Sequence, residues 1–154
     1  MRMPIRDQMN RRRRQEGQAL VELALVLPLF LLLLLGIVQM GSVFRDYIAL
    51  TDATRVGARQ GSIARSLQPP SSREASIVTR VQRAAVNLDS TKMTIAVELR
   101  DPVSGGVLTP NSADSSWRPS GDVTVRTTYP FKLSLFGQVF FTGTLKSRTT
   151  ERIE

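Results

Sequence analysis

The chain has 154 residues, 42% of them hydrophobic, and a formal net charge of +8. It contains neither histidine nor cysteine, which removes disulfide bridges, thiolate metal sites, the commonest metal ligand and the usual general base at neutral pH. The positive excess gathers at one end. Six of the 21 basic residues (Arg2, Arg6, Arg11, Arg12, Arg13 and Arg14) precede Gly17, where only Asp7 and Glu16 oppose them. A nucleic-acid reader needs basic and aromatic or polar groups spread over a folded face. A short arginine tail beside an apolar segment is not that, so nucleic acid is not an expected partner.

The first predicted element is a membrane helix. From Gly17 to Phe44 the only charged residue is Glu22. A helix over this stretch is about 40 Å long at ~1.5 Å per residue, more than a bilayer core of about 30 Å requires. The apolar run is longer than the h-region of a cleaved secretory signal, and Gln39 to Ser42 make a poor small-x-small site. The arginine tail predicts a cytoplasmic N-terminus and a C-terminus outside, although Arg45, Arg55, Arg59 and Arg65 lessen the asymmetry. Pro28 removes one backbone donor within the helix, a change that membrane helices tolerate. Glu22 read alone either marks the membrane edge, where the helix dipole favours an anion, or serves a purpose worth the cost of a carboxylate in lipid.

The neighbours of Glu22 bear on that choice. Arg11-Arg12-Arg13-Arg14-Gln15-Glu16-Gly17 forms a basic leader ending in glycine, and Glu22 is the fifth residue after it. This resembles the leader and cleavage site of type IV pilin-like proteins. More narrowly, Gln18-Ala19-Leu20-Val21-Glu22-Leu23-Ala24-Leu25-Val26-Leu27-Pro28-Leu29 is similar to the start of the TadE family, minor pseudopilins of the tight-adherence (Tad, or Flp) type IVb pilus system. Ala53-Thr54-Arg55-Val56-Gly57-Ala58-Arg59 is similar to that family's segment just past the membrane. Leu23 stands where Tad substrates often carry an aromatic residue. The resemblance implies cleavage by a prepilin peptidase between Gly17 and Gln18. It implies that Glu22 then meets the new amine of a neighbouring subunit, and that the partners are other Tad pseudopilins and pilus assembly components. It also implies the inner membrane of a bacterium as the location.

Past Phe44 the helix is expected to continue, with Met40, Val43, Phe44, Tyr47 and Ile48 at helical spacing. Ala49, Ala53, Gly57 and Gly61 recur every four residues and form a small-residue ridge. Two glycines in a helix cost about 1 kcal/mol each relative to alanine, and close approach of another backbone is a reason to keep them. The approaching partner is either the protein's own outer domain, the preferred reading, or a neighbouring subunit.

Ser66 to Ser72, containing Gln68-Pro69-Pro70, should break the helix. Ser71 and Glu74 have the spacing of a capping box. Val78, Val81, Ala85 and Leu88 predict a second amphipathic helix ending near Asp89. Met93, Ile95, Val97 and Leu99 alternate with Thr94, Ala96, Glu98 and Arg100 as a half-buried strand should.

Residues 101–122 read as a long loop punctuated by Gly105-Gly106, Pro110, Pro119 and Gly121. In it Trp117 either anchors a contact or, as is commoner, covers the core. Val123 to Tyr129 predicts a second strand, which Pro130 should end or place at an edge. The apolar stretch Phe131 to Phe136 is left open. Val139 to Ile153 predicts a third strand with Leu145, Ser147, Thr149, Glu151 and Ile153 on one face.

Helices followed by strands imply an α+β domain with an antiparallel sheet of about three strands, pilin-like in outline. The expected organisation is a leader over 1–17, a transmembrane helix over 18–44 and an outer domain over 45–154. No phosphate-binding loop, nucleophile elbow or metal-ligand cluster is present in the sequence. Ser104-Gly105-Gly106 reads as a turn rather than an anion nest, and Asp89, Asp101, Asp114 and Asp122 as solvated loop residues. No enzyme activity, cofactor, metal or small-molecule substrate is expected. The sequence leaves two rivals to a pseudopilin: an unprocessed membrane-anchored adaptor or binding domain, and an anchored envelope enzyme.

Overall fold

The structure is a computed structural model. It describes residues 5–108, 110, 116–135 and 137–154, with side chains described from Gly17 onward. The chain falls into two compact units, Met1–Gly41 and Ser42–Glu154.

Helix α1, Ile5–Leu67, contributes to both. In the first unit every described residue from Gly17 to Val38 is exposed, including the whole leucine run. This stretch is long and apolar enough to cross a membrane.

In the second unit α1 buries one face. Leu50, Ala53, Thr54, Gly57, Ala58, Gly61, Ser62 and Ala64 are buried, while Asp52, Arg55 and Arg59 remain exposed. The spacing of three and four is the stripe that a helix presents to a core. Full burial of Leu50 alone contributes about 2 kcal/mol.

The helix ends before Pro69 and Pro70, neither of which can donate to it. A 3-10 turn, Pro70–Ser72, leads into α2, Arg73–Ala84. The capping box does not form. The turn moves the N-cap to Ser72, whose hydroxyl bonds back to the Pro69 carbonyl at 3.1 Å instead of capping the helix. The helix also stops at Ala84 rather than near Asp89, because Ala85 leaves the helical region with ψ 53°. Ala85 and Leu88 still reach the core, from the turn instead of the helix. Ile77, outside the predicted apolar stripe, is fully buried with Val81.

The sheet is antiparallel with four strands in the order β2-β1-β3-β4. These are β1 Thr94–Arg100, β2 Val107–Leu108, β3 Asp122–Leu135 and β4 Gln138–Arg152. The expected count of about three is thus one short, because Val107–Leu108 pairs with Leu99 and Arg100 from within the predicted loop. Two residues directly after a glycine pair carry too little periodicity to reveal a strand. The α+β class is as expected.

Pro130 does not end β3. The last β1 partner is Thr94 opposite Thr128, so beyond that point β3 is bonded on the β4 side alone. A proline is tolerated where one side of a strand carries no ladder. Phe131 to Leu135 therefore extend β3 as half of a two-stranded arm with β4. Along β4, Leu145, Ser147 and Thr149 are half-buried, Ile153 is buried just past the strand, and Glu151 is exposed. The core lies between the sheet and the two helices, and gathers Leu50, Ala53, Ala58, Ile77, Val81, Val97, Leu99, Trp117, Val123 and Val125.

Candidate functional site

Two regions carry the residues that the sequence singles out. The first is the N-terminal half of α1. Gly17, Gln18 and Glu22 all lie in continuous helix, and all three are exposed. A Cβ placed on Gly17 would meet nothing within 4 Å. Gln18 and Glu22 are four residues apart, so they share one helix face a single turn apart. The peptide bond after Gly17 is helical here, and a peptidase that reads an extended chain must first unwind it. Glycine makes that local opening easier by about 1 kcal/mol relative to alanine. The backbone of Arg11 to Arg14 belongs to the same helix; their side chains lie outside the described part.

The second region is the small-residue ridge. Ala53, Gly57 and Gly61 are buried within the Ser42–Glu154 unit, and Ala49 packs half-buried against its core. A Cβ on Gly57 would strike the Val81 side chain of α2. One on Gly61 would come within 2.8 Å of Val123 on β3 and 3.2 Å of Ile77 on α2. At these two glycines the helix backbone lies too close to the layer beneath it to accept a side chain without displacement. Thr54, between them and Leu50, binds the core by a polar contact: its hydroxyl bonds to the Leu50 carbonyl and lies 2.6 Å from that of Thr127 on β3. Since Thr54 spends its proton on Leu50, Thr127 is the donor between the two hydroxyls. Nothing in the sequence links Thr54 to Thr127, which are 73 positions apart.

Trp117 is buried, 1% exposed, in the commoner of its two expected roles. Arg73, also buried, places its guanidinium 5.8 Å from the ring centroid and bonds to the carbonyls of Gln68 and Arg65. The indole Nε1 finds no acceptor among the described residues. Such a donor costs about 1–3 kcal/mol, which the large apolar burial of the ring and a desolvated cation–π contact of about 2 kcal/mol offset.

Asp101 departs from its expected place as a solvated loop residue. It is only 9% exposed, accepts from the Val103 and Ser104 N–H groups at 2.8 and 3.2 Å, and pairs with Arg118 at 3.0 Å. The two backbone donors, then the guanidinium, hold its carboxyl below the usual 3.8. It therefore organises the β1–β2 turn, in which Gly105 takes a φ of +67°. Asp89 is exposed and bonds to Lys92 and Thr91, which lower it to about 2. Asp122 is half-buried at the start of β3, and Asp114 lies outside the described residues.

Among the described residues no group of three or more carboxylates could hold a metal ion. The surface groove of about 360 Å³ lined by Gln60, Gln68, Ser72, Ser76, Arg80 and Arg83 brings no acid and base together.

Residues 17–59 match the family model of TadE, described as TadE-like protein. The match takes in the apolar half of α1 and the ridge as far as Arg59. It bears out, over those residues, the resemblance read from the sequence, and it supports a role connected with the Tad pilus. No curated protein and no solved structure matches the chain.

Proposed function

We propose that this chain is a TadE-like pseudopilin. It would be inserted in a bacterial inner membrane with the N-terminus inside, processed by a prepilin peptidase after Gly17, and used with other Tad pseudopilins in pilus assembly. The observation that carries the reading is the family match over residues 17–59, on a helix whose apolar stretch from Gly17 to Val38 is exposed throughout, with Gly17 and Glu22 at the spacing of a pilin junction.

Exposed leucines in water are unfavourable, and a bilayer or a bundle of like helices removes them from it. Cutting after Gly17 detaches the arginines that hold the helix at the cytoplasmic face. It also leaves an amine on Gln18, one turn from Glu22. In a low-dielectric bundle neither charge is tolerated alone, and pairing between subunits offsets the cost of both.

Co-expression with a Tad-type prepilin peptidase followed by N-terminal sequencing tests this. Wild type should begin at Gln18. Gly17→Val should remain uncut, because a β-branched residue restricts the backbone at the scissile bond. Glu22→Ala should insert and be cut, yet fail to co-purify with pilus components. Wild-type protein that keeps its leader while pili still form would sink the processing step and favour the unprocessed adaptor.

A further inference from the structure

We propose that the β3–β4 arm is a membrane foot: its end enters the interfacial region of the outer leaflet beside the point where α1 leaves the bilayer. The inference rests on the membrane placement of α1 given above, and not on cleavage or pilus assembly.

The direction of the arm follows from contacts inside the Ser42–Glu154 unit. Gly61 lies against Val123, Gly57 against Val125, and Thr54 against Thr127. Residue numbers fall along the helix as they rise along the strand, so β3 runs back towards Ser42. From Thr54 to Ser42 the helix covers about 18 Å at ~1.5 Å per residue. From Thr127 to Leu135 the strand covers about 26 Å at ~3.3 Å per residue. A strand inclined to the helix by up to about 45° still reaches the level of Ser42 at these rises per residue, where the chain emerges from its apolar segment.

The composition of the arm fits lipid. Between Tyr129 and Leu145 the only charged residue is Lys132, and no carboxylate occurs. Val139, Phe140 and Phe141 are 53, 71 and 56% exposed. A register shift between Leu133 and Ser134 leaves Phe141 opposite Leu133 and brings Val139 opposite Ser134. Facing pairs share a side of the ribbon, so apolar groups project from both sides near its end. A docking patch for a protein would need one face only, whereas immersion uses both. Aromatic residues with a nearby lysine are the residues that settle at the headgroup level, and Lys132, on the arm opposite Thr142, stands where it would meet lipid phosphates.

The chain has no cysteine, so single thiols at Phe140, Leu33 and Val103 can each carry a nitroxide label on the full-length protein. The protein is placed in nanodiscs of phosphatidylethanolamine and phosphatidylglycerol, and relaxation by oxygen is compared with relaxation by a water-soluble nickel chelate. Leu33→Cys reports the anchor, and Val103→Cys, at a position 88% exposed on the β1–β2 turn, reports water. The expected result is oxygen-dominated relaxation at 140, of shallower depth than at 33, with 103 nickel-dominated. A label at 140 as nickel-accessible as that at 103, with 33 still in lipid, overturns the foot and leaves the anchor standing. Dipolar broadening at 140 that vanishes on dilution with unlabelled protein would assign the arm to a second copy and overturn it too. A nickel-accessible label at 33 overturns foot and anchor together.

Discussion

The two halves of α1 are one helix built by opposite rules. From Gly17 to Val38 its side chains are mostly large and apolar, and all are exposed. After Ser42 its buried positions are mostly small: Ala53, Gly57, Ala58, Gly61 and Ala64. Glycine occurs in both halves, but with different surroundings. A Cβ on Gly36 or Gly41 would meet nothing within 4 Å, whereas one on Gly57 or Gly61 would run into Val81, Val123 or Ile77. Side-chain size along this helix thus records what lies against it. Lipid accepts any apolar shape, while a packed sheet and helix accept only what leaves room for their own side chains.

The largest effect should come from the domain that makes the second half different. Val97 on β1 is 7% exposed and belongs to the core. Val97→Asp buries a carboxylate without a partner and should cost about 4 kcal/mol or more, enough to unfold a marginal domain. Trp117 is the only tryptophan and lies in the same core, so its fluorescence during thermal unfolding of the full chain in nanodiscs reads the loss directly.

A matched substitution in the two halves separates them next. Gly57→Leu should destabilise the outer unit by about 3 kcal/mol through overpacking against Val81. Gly36→Leu, in open surroundings, should leave the same Trp117 transition within about 0.5 kcal/mol. Equal effects at the two glycines would erase the distinction between the halves.

A double-mutant cycle at the polar contact sharpens the point. Thr54→Val deprives the buried Thr127 hydroxyl of its acceptor and should cost about 1–3 kcal/mol. Adding Thr127→Val should recover much of that, since two apolar isosteres leave no buried donor unmet. Full additivity of the two substitutions would mean that the hydroxyls do not depend on each other.

The smallest effect belongs to pH. The folded-state pKa of Asp101 is depressed, so its contribution is complete above the unfolded value near 4 and is lost as pH falls through the lower folded value. The melting temperature should therefore decline below about pH 4. Asp101→Asn should lower stability at neutral pH and flatten part of that acid limb. An unchanged acid limb in the variant would assign the decline to other carboxylates, of which Asp89, lowered to about 2, is the first to test.

The sequence by itself determined the apolar helix, the α+β class and the alternating strand at Ile95, Val97 and Leu99. Each of these is local: a hydrophobic run or a period whose residues lie within a few turns of one another. The tertiary structure alone decided the rest. Val107–Leu108 became a strand because Leu99 and Arg100 offered an edge, which no feature of two residues announces. Pro130 stayed in β3 because β1 ends opposite Thr128 and leaves one side of the strand without a ladder. Asp101 was drawn in from the loop by two backbone donors and Arg118, and Thr54 found Thr127 across the core. Periodicity shows which side of an element is apolar. What that side meets depends on contacts between residues far apart in the chain, and those are fixed only when the elements pack.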